Sequence, residues 1–387
     1  MGRTTVGVVA NPASARDVRR LVALGGTMTT HDKLNRLQRL LVGLAGGGVE
    51  RVLAMPDRSG ITVGLRRLAA RPSAASWPEL EFIEQPVGGT AADTRRATEA
   101  MVAAGVGAIV VLGGDGTNRI VAGASGDVPL VSISTGTNNA FPLPVESTVA
   151  GLAAGLVARD DGCRRAGTHR AKQLVVRHGS RVERALVDVA ISDGDRVGSG
   201  AVWDGGTIRE LYLCFAEPDA IGLSAIGGHL HPIGRREPGG LAVAMGEPVV
   251  ATIHPPIGPG LVQPIGVRSI DVLVPDTPVE VRAASGVVAI DGERLFRFGS
   301  DDRPTITLRP DGPVVVSAAS VLTHASTTGL LATPAARATT ATAPASHDPT
   351  DPPPEGNHHD DARSARSVHR DGPHPAVRVP DPAGVPR

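Results

Sequence analysis

The stretch Val106–Phe141 reads VGAIVVLGGDGTNRIVAGASGDVPLVSISTGTNNAF. Its first apolar run, Ala108–Leu112, is rich in β-branched residues, which suits a buried parallel strand. The run stops at Gly113-Gly114-Asp115-Gly116-Thr117; a helical segment then leads to a second strand, Leu130–Ser134, and a second polar turn, Ser134–Asn139. Two strand-to-helix turns in succession fall at one edge of a sheet, where open α/β sheets bind ligands. Three glycines around one carboxylate exceed the needs of a turn. Such a loop aims backbone N–H groups at a phosphate, and the following helix adds its dipole. Thr117 is placed to cap that helix. A carboxylate in such company repels phosphate unless it meets Mg2+ or takes a proton from an attacking hydroxyl, so Asp115 fits either role in phosphoryl transfer. The plainer alternative is a tight turn with Asp115 solvated or capping. The string is no Walker loop, because no Gly-Lys-Ser/Thr follows, and the glycine spacing is not G-x-G-x-x-G.

Outward from this stretch the chain alternates strand and helix. Val6–Ala10 reads as the first strand, ending at Asn11-Pro12, with a short helix expected over Arg16–Leu24. Thr30–Leu44 places Leu34, Leu37, Leu40, Leu41 and Leu44 on one helical face and stops at Gly46-Gly47-Gly48. Val49–Met55 and Leu80–Glu84 read as strands, and Thr90 with Asp93 three residues on forms a capping box for a helix over Ala91–Ala104. This alternation predicts a parallel sheet. From about Gly162 the texture changes to short β-rich runs with Gly/Pro punctuation, among them Lys172–Arg177 and Arg181–Ala190 around a hairpin signal at His178-Gly179-Ser180. The last of these runs are Val287–Ile290, Thr305–Leu308 and Val314–Ser317. The fold class is therefore α/β: a Rossmann-like parallel-sheet domain over residues 1–160, a β-rich, sandwich-like domain over 161–324, and an Ala/Pro/His/Asp-rich tail over 325–387 read as disordered.

Four further strings complete an ordered set with GGDGT: Asn11-Pro12-Ala13-Ser14, Met55-Pro56-Asp57, Gly222-Leu223-Ser224-Ala225-Ile226-Gly227-Gly228 and Asp291-Gly292-Glu293-Arg294. Together they resemble the ATP-NAD kinase-like family, within the superfamily of NAD kinases and diacylglycerol and sphingosine kinases, and among its members the acetoin catabolism protein X type. The resemblance implies an ATP-dependent phosphotransferase with Mg2+, acting on a hydroxyl of NAD(H), a related nucleotide or a small polyol. It implies a cleft between the two domains. There the backbone of Gly113, Gly114 and Gly116 would hold donor phosphates, while Asn11, Thr117, Gly136, Thr137 and Asn138 position phosphate or ribose. Asp115, Asp291 and Glu293 are the catalytic candidates, with Mg2+ reached through Asp115 and Glu293 rather than through a metal motif. Plain turn chemistry is the alternative for Asn11, Ser14 and Asp291-Gly292. Asn138-Asn139 is closer to the Gly-Thr-x-Asn loop of lipid kinases than to the Asn-Glu or Asn-Asp pair of NAD kinases. A lipid kinase, and a catalytically silent nucleotide-binding accessory protein of acetoin catabolism, therefore stay open beside the nucleotide kinase.

Composition narrows the partners. A net charge of zero offers no bulk attraction for nucleic acid or an anionic membrane, and 2% aromatic residues supply few base-stacking platforms. The expected partners are small nucleotide substrates, with a homo-oligomer suggested by the family. Val6–Ala10 is too short for a signal-peptide core and no stretch approaches a membrane span, so the expected setting is the cytoplasm. Cys163 and Cys214 form no C-x-x-C and read as buried, inert thiols. Lys33 and Lys172 are the only lysines among 39 basic residues, a bias read as a coding effect.

Overall fold

The computed structural model describes residues 2–14, 24–193 and 205–332. The helix expected over Arg16–Leu24 falls almost wholly outside these residues, as does the expected tail beyond residue 332. The first part of the chain runs through β1 (Thr5–Ala10), α1 (Thr30–Gly46), β2 (Arg51–Ala54), α2 (Ile61–Ala69), β3 (Glu79–Phe82), α3 (Ala91–Ala103), β4 (Ala108–Gly113), α4 (Asp115–Ala122), β5 (Leu130–Ser134), α5 (Ser147–Arg159) and α6 (Asp161–Gly167). Its five strands pair in parallel in the order β3–β2–β1–β4–β5.

Both faces of the sheet's centre are covered, so β1 and β4 are buried along their whole length, whereas the edge strand β3 keeps Glu79 and Glu81. Leu37, Leu40, Leu41 and Leu44 of α1 and Ala150 and Ala154 of α5 join Val6, Val8, Val52, Val110 and Val131 in one core. Ala97 and Met101 of α3 and Val121 of α4 join Val9, Ile109 and Val111 in a second. The helix α1 starts on a capping box between Thr29 and Asp32 and is capped by Gly47, after which Gly48 turns at φ 81°. A Cβ on Gly43 would lie 2.1 Å from the Thr148 carbonyl oxygen and one on Gly151 2.4 Å from that of Leu40, so glycine lets α1 and α5 touch backbone to backbone.

The chain then forms β6 (Thr168–Arg170), β7 (Gln173–His178), β8 (Arg181–Ala185), β9 (Asp188–Ser192), β10 (Ile208–Leu213), α7 (Ser224–Gly228), β11 (Gly240–Met245), β12 (Ala251–Ile253), β13 (Pro256–Gly258), β14 (Leu261–Val262), β15 (Ile265–Leu273), β16 (Pro278–Glu280), β17 (Gly286–Ile290), β18 (Glu293–Phe298), β19 (Thr305–Arg309), β20 (Val314–Val316) and α8 (Ala318–Thr327). An antiparallel sheet β16–β19–β7–β8 and an antiparallel sheet β12–β15–β11–β10–β9–β17–β18 share a core that includes Leu174, Val176, Ile191, Tyr212, Phe296, Ile306 and Leu308. The expected hairpin is the β7–β8 turn, with Gly179 at φ 54°. The Gly/Ala-containing strand β11 and the charged strand β18 escape the β-rich reading, because neither offers a run of β-branched residues.

The C-terminal end departs from the expected division. Val314–Val316 does not stay in the β-rich part: β20 pairs parallel to β5 and antiparallel to β6, returning the chain to the first sheet. Helix α8 follows, and its Val321 and Ala325 pack with Leu156, Val157 and Cys163. The folded part thus continues past residue 324, where the tail was expected to begin. The physical reason is local: Ser317 accepts from Ser320 N as the α8 N-cap, and an apolar face from Val321 to Ala325 has a core to join.

Candidate active site

The turn between β4 and α4 is tight. Gly113 ends the strand, Gly114 is the N-cap, and Asp115 is the first helical residue. Thr117 is consequently not the cap: it is the third residue of the helix, buried, and its hydroxyl accepts from Asn11 Nδ2 at 2.7 Å. Close approach, not unusual φ, marks these glycines, most tightly at Gly113. A Cβ would lie 2.6 Å from Thr117 Cβ at Gly113, 2.8 Å from Asn139 Oδ1 at Gly114 and 3.1 Å from Glu293 Oε1 at Gly116.

The second turn closes over the first. Asn139 Nδ2 donates to Ser134 Oγ at 2.9 Å, and that hydroxyl donates to the Gly136 carbonyl at 3.0 Å. Asp115 joins the two turns: its carboxylate accepts from Phe141 N at 2.8 Å and from Ala140 N at 3.1 Å. Thr137 Oγ1 accepts from Gly26 N at 3.1 Å. Asn138 Oδ1 and Ser224 Oγ are buried with no hydrogen-bond partner among the described residues. Both residues line a small inner pocket with Asp115, Asp188 and Asp291.

The β-rich part supplies the opposite wall. Asp291, between β17 and β18, adopts a left-handed φ of 48° and is buried. Its Oδ1 accepts from the N–H groups of Leu186 (3.0 Å), Val187 (2.9 Å) and Asp188 (3.3 Å). Burial pushes the Asp291 carboxyl up to about 8; the Arg119 guanidinium opposes this, while Asp188 and Asp115 add to it. Arg119, on α4, reaches across with Nη2 3.0 Å from Glu293 Oε2, Nη1 3.1 Å from the Ile290 carbonyl, and Nε 3.9 Å from Asp291 Oδ2. The Glu293 side chain is 53% exposed.

Between the walls lies a cavity of about 830 Å3, within the range of small-molecule sites. It brings together every residue expected at the site except Gly113, which supports it from behind: Asn11, Gly114, Asp115, Gly116, Thr117, Gly136, Thr137, Asn138, Asp291 and Glu293 line it. The N-terminus of α4 faces it, and so does that of α3 through Thr90 and Ala91. Positive helix ends favour anions. Two other lining carboxylates are occupied in turns. Asp57 accepts from Ser59 N and Thr62 N, and Asp93 from Gly88 N, Gly89 N and Thr90 N.

Several residues at the site were not foreseen from the sequence. Lys33 is buried, and its Nζ donates to the carbonyls of Asn11 (3.0 Å), Pro12 (2.7 Å) and Ser14 (2.8 Å), fixing the first turn. Lys172 does the same for the carbonyls of Gly234 (3.0 Å), Glu237 (2.7 Å) and Gly239 (2.8 Å). A tetrahedral ammonium with three donors suits three converging oxygens, whereas a planar guanidinium does not. Both lysines of the chain thus sit where three carbonyls converge. Arg119 and Arg235 carry no comparable mark in the sequence.

Among the described residues, Asp160, Cys163 and His324 come within metal-binding reach of one another, at the junction of α5, α6 and α8. Asp160 there accepts from Cys163 N at 2.7 Å as the α6 N-cap. Burial and the neighbouring Asp160 push the Cys163 thiol up to about 11. None of the helices described is long and apolar enough to cross a membrane.

The parallel-sheet lobe with its GGDGT turn is an ATP-NAD kinase-type N-terminal domain, faced by an antiparallel lobe across the cavity. Residues 6–161 match the family model of the ATP-NAD kinase N-terminal domain, and residues 172–311 that of the acetoin catabolism protein X C-terminal domain. Acetoin catabolism protein X of Cupriavidus necator is 43% identical over 329 residues, covering 83% of this chain and 92% of that protein. The chain belongs to the acetoin catabolism protein X family. Among solved structures, yeast NADH kinase complexed with NADH superimposes with a TM-score of 0.47 at 12% identity, over 84% of this chain and 87% of that one. A putative diacylglycerol kinase from Bacillus anthracis does so with a TM-score of 0.38 at 11% identity, over 81% and 97%.

Proposed function

We propose that the protein is an ATP-dependent phosphotransferase that moves the γ-phosphoryl group to a hydroxyl of NAD(H), a related nucleotide or a small polyol. The observation that carries this reading is the setting of Asp115: a carboxylate held by two backbone amides at the N-terminus of α4, on the wall of a nucleotide-sized cavity. The backbone of Gly114 and Gly116 and the positive end of α4 bind the donor phosphates. Thr117, positioned by Asn11, and the turn Gly136–Asn138 orient phosphate or ribose. Asp115 takes the proton of the acceptor hydroxyl as its oxygen attacks the γ-phosphorus, the bond to the bridging oxygen breaks, and ADP leaves. Asp291, its carboxylate turned onto the amides of residues 186–188, fixes the loop that presents Glu293 rather than acting on substrate itself. Glu293, exposed and across from Gly116, is an oxygen donor of the kind Mg2+ takes and would hold it with Asp115 nearby. Mg2+ there would spread the charge of the transferring group. The rest of the rate gain comes from orientation and fixed dipoles. A cytoplasmic setting belongs to the same proposal and is supported by two buried free thiols.

The test is transfer from γ-labelled ATP with Mg2+ to NAD, NADH or diacylglycerol, by the wild type and by Asp115→Asn. Label in NADP or NADPH that disappears in the variant is the expected result. Label in lipid would move the protein to the lipid-kinase reading. Nucleotide binding with no transfer to any acceptor would favour an accessory role in acetoin catabolism, which the name of the Cupriavidus relative supports.

A further inference from the structure

We propose that Arg235, in the β-rich lobe, is a positioning residue for Asp115, acting through the backbone of Ala140 and Phe141. Arg235 Nη2 donates to the Ala140 carbonyl at 2.5 Å and Nη1 to the Phe141 carbonyl at 2.9 Å. The same two residues give their N–H groups to the Asp115 carboxylate. The Ala140 carbonyl and the Phe141 N–H belong to a single peptide group. Because that group is planar, fixing its oxygen fixes the direction of its N–H. The cation on the oxygen also polarises the peptide and strengthens the N–H donor that Asp115 uses.

Arg235 is itself held for this task. Its Nε lies 3.0 Å from both carboxylate oxygens of Glu217, and its guanidinium stacks 4.2 Å from the centroid of the buried Phe215 ring. Glu217 orients the fork, Phe215 supports its plane, and the two remaining nitrogens face the two carbonyls. The bridge between Ala216 and Ile233 brings these residues to one place. Arg119 thus reaches from the first lobe to the Glu293 loop, and Arg235 reaches back from the second lobe to the turn that holds Asp115.

The catalytic part of this inference rests on the phosphotransferase reading, so its test has one arm that does not. Amide hydrogen exchange of residues 138–141 is compared in the wild type, Arg235→Ala, Arg235→Lys and Arg235→Gln, the last keeping one donor group should the alanine variant fold poorly. Exchange at Ala140 and Phe141 is expected to quicken about tenfold in Arg235→Ala, the loss of one hydrogen bond's worth of protection, with α1 and β1 unchanged. In the transfer assay, kcat is expected to fall about tenfold or more with KM for ATP held, as for a displaced reacting group, and lysine, lacking the fork, is not expected to restore it. Unchanged exchange at Ala140 and Phe141 would overturn the proposal. So would an equal rise across the whole chain, which marks a merely structural tie. Absence of transfer in the wild type would count against the phosphotransferase reading and leave the exchange arm to decide on Arg235.

Discussion

Asn11 Nδ2 donates to Thr117 Oγ1 at 2.7 Å, joining the end of β1 to the helix of the GGDGT turn across 106 positions of sequence. That bond depends on the turn carrying Asn11, whose carbonyls converge on the buried Lys33 ammonium. Lys33→Ala leaves these oxygens without their donor and is expected to cost about 2 kcal/mol or more in denaturant unfolding. Lys33→Arg is expected to be nearly as destabilising, since a guanidinium cannot offer three N–H groups to one point. An arginine variant as stable as the wild type would refute the account.

Gly113→Ala and Gly116→Ala should separate fold from site. At Gly113 the new methyl meets Thr117 Cβ at 2.6 Å, inside the turn, with no flexible neighbour to move. The expected cost is about 1–3 kcal/mol. At Gly116 the neighbour is the end of the Glu293 side chain at 3.1 Å, which can swing away. Stability should then hold while Glu293 is displaced and phosphoryl transfer falls. Melting temperature and transfer rate, measured side by side, check the contrast.

The buried Asp291 predicts a pH dependence. Its carboxyl sits near 3.8 when free and is pushed up to about 8 in the fold by burial, with Asp188 and Asp115 adding to the shift and Arg119 opposing it. Between these values the folded chain holds a proton that the unfolded chain has lost. This contribution to stability is full below pH 3.8 and disappears as pH rises through about 8. Asp291→Asn keeps an oxygen for the amides of residues 186–188 and should flatten the decline. Urea unfolding at several pH values between 5 and 8, in a chelator, measures it.

The two thiols should be silent in the native protein. Cys163 and Cys214 are fully buried, and burial pushes both up, Cys163 to about 11. A thiol reagent at pH 8 is expected to label neither until denaturant is added, and then both. Labelling of one thiol before unfolding would show local opening at that residue.

Much of the first lobe was legible because its signals are local. Leu37, Leu40, Leu41 and Leu44 repeat at helical spacing, Thr90 and Asp93 form a start signal, and Ala108–Leu112 has the composition of a buried strand. The GGDGT turn was legible for the same reason, as three glycines around a carboxylate carry their meaning in a few positions, whereas Asn11, Asp291 and Glu293 were singled out by the family resemblance. Sheet membership does not. Val314–Val316 reads as a strand anywhere, and only its pairing with β5 and β6 places it in the first sheet. Arg119 and Arg235 resemble the other arginines until the lobes come together. Even for Asp291, with its Asp-Gly string, the partners were not legible, because the amides it binds lie 103–105 residues away.

The return of β20 has a mechanical consequence. The chain leaves the first lobe beside β6 and re-enters it along β20, and these two strands are hydrogen-bonded to each other. A lobe joined by a single tether can swivel. One joined by a paired ribbon resists twisting about it more than a single strand does, which favours a fixed facing of the two cavity walls. A single cut in the β-rich lobe would also leave both pieces anchored to the first sheet, and the parallel-sheet lobe expressed only to residue 160 would lack β20 and β6, the two strands beyond β5, and the helices α6 and α8.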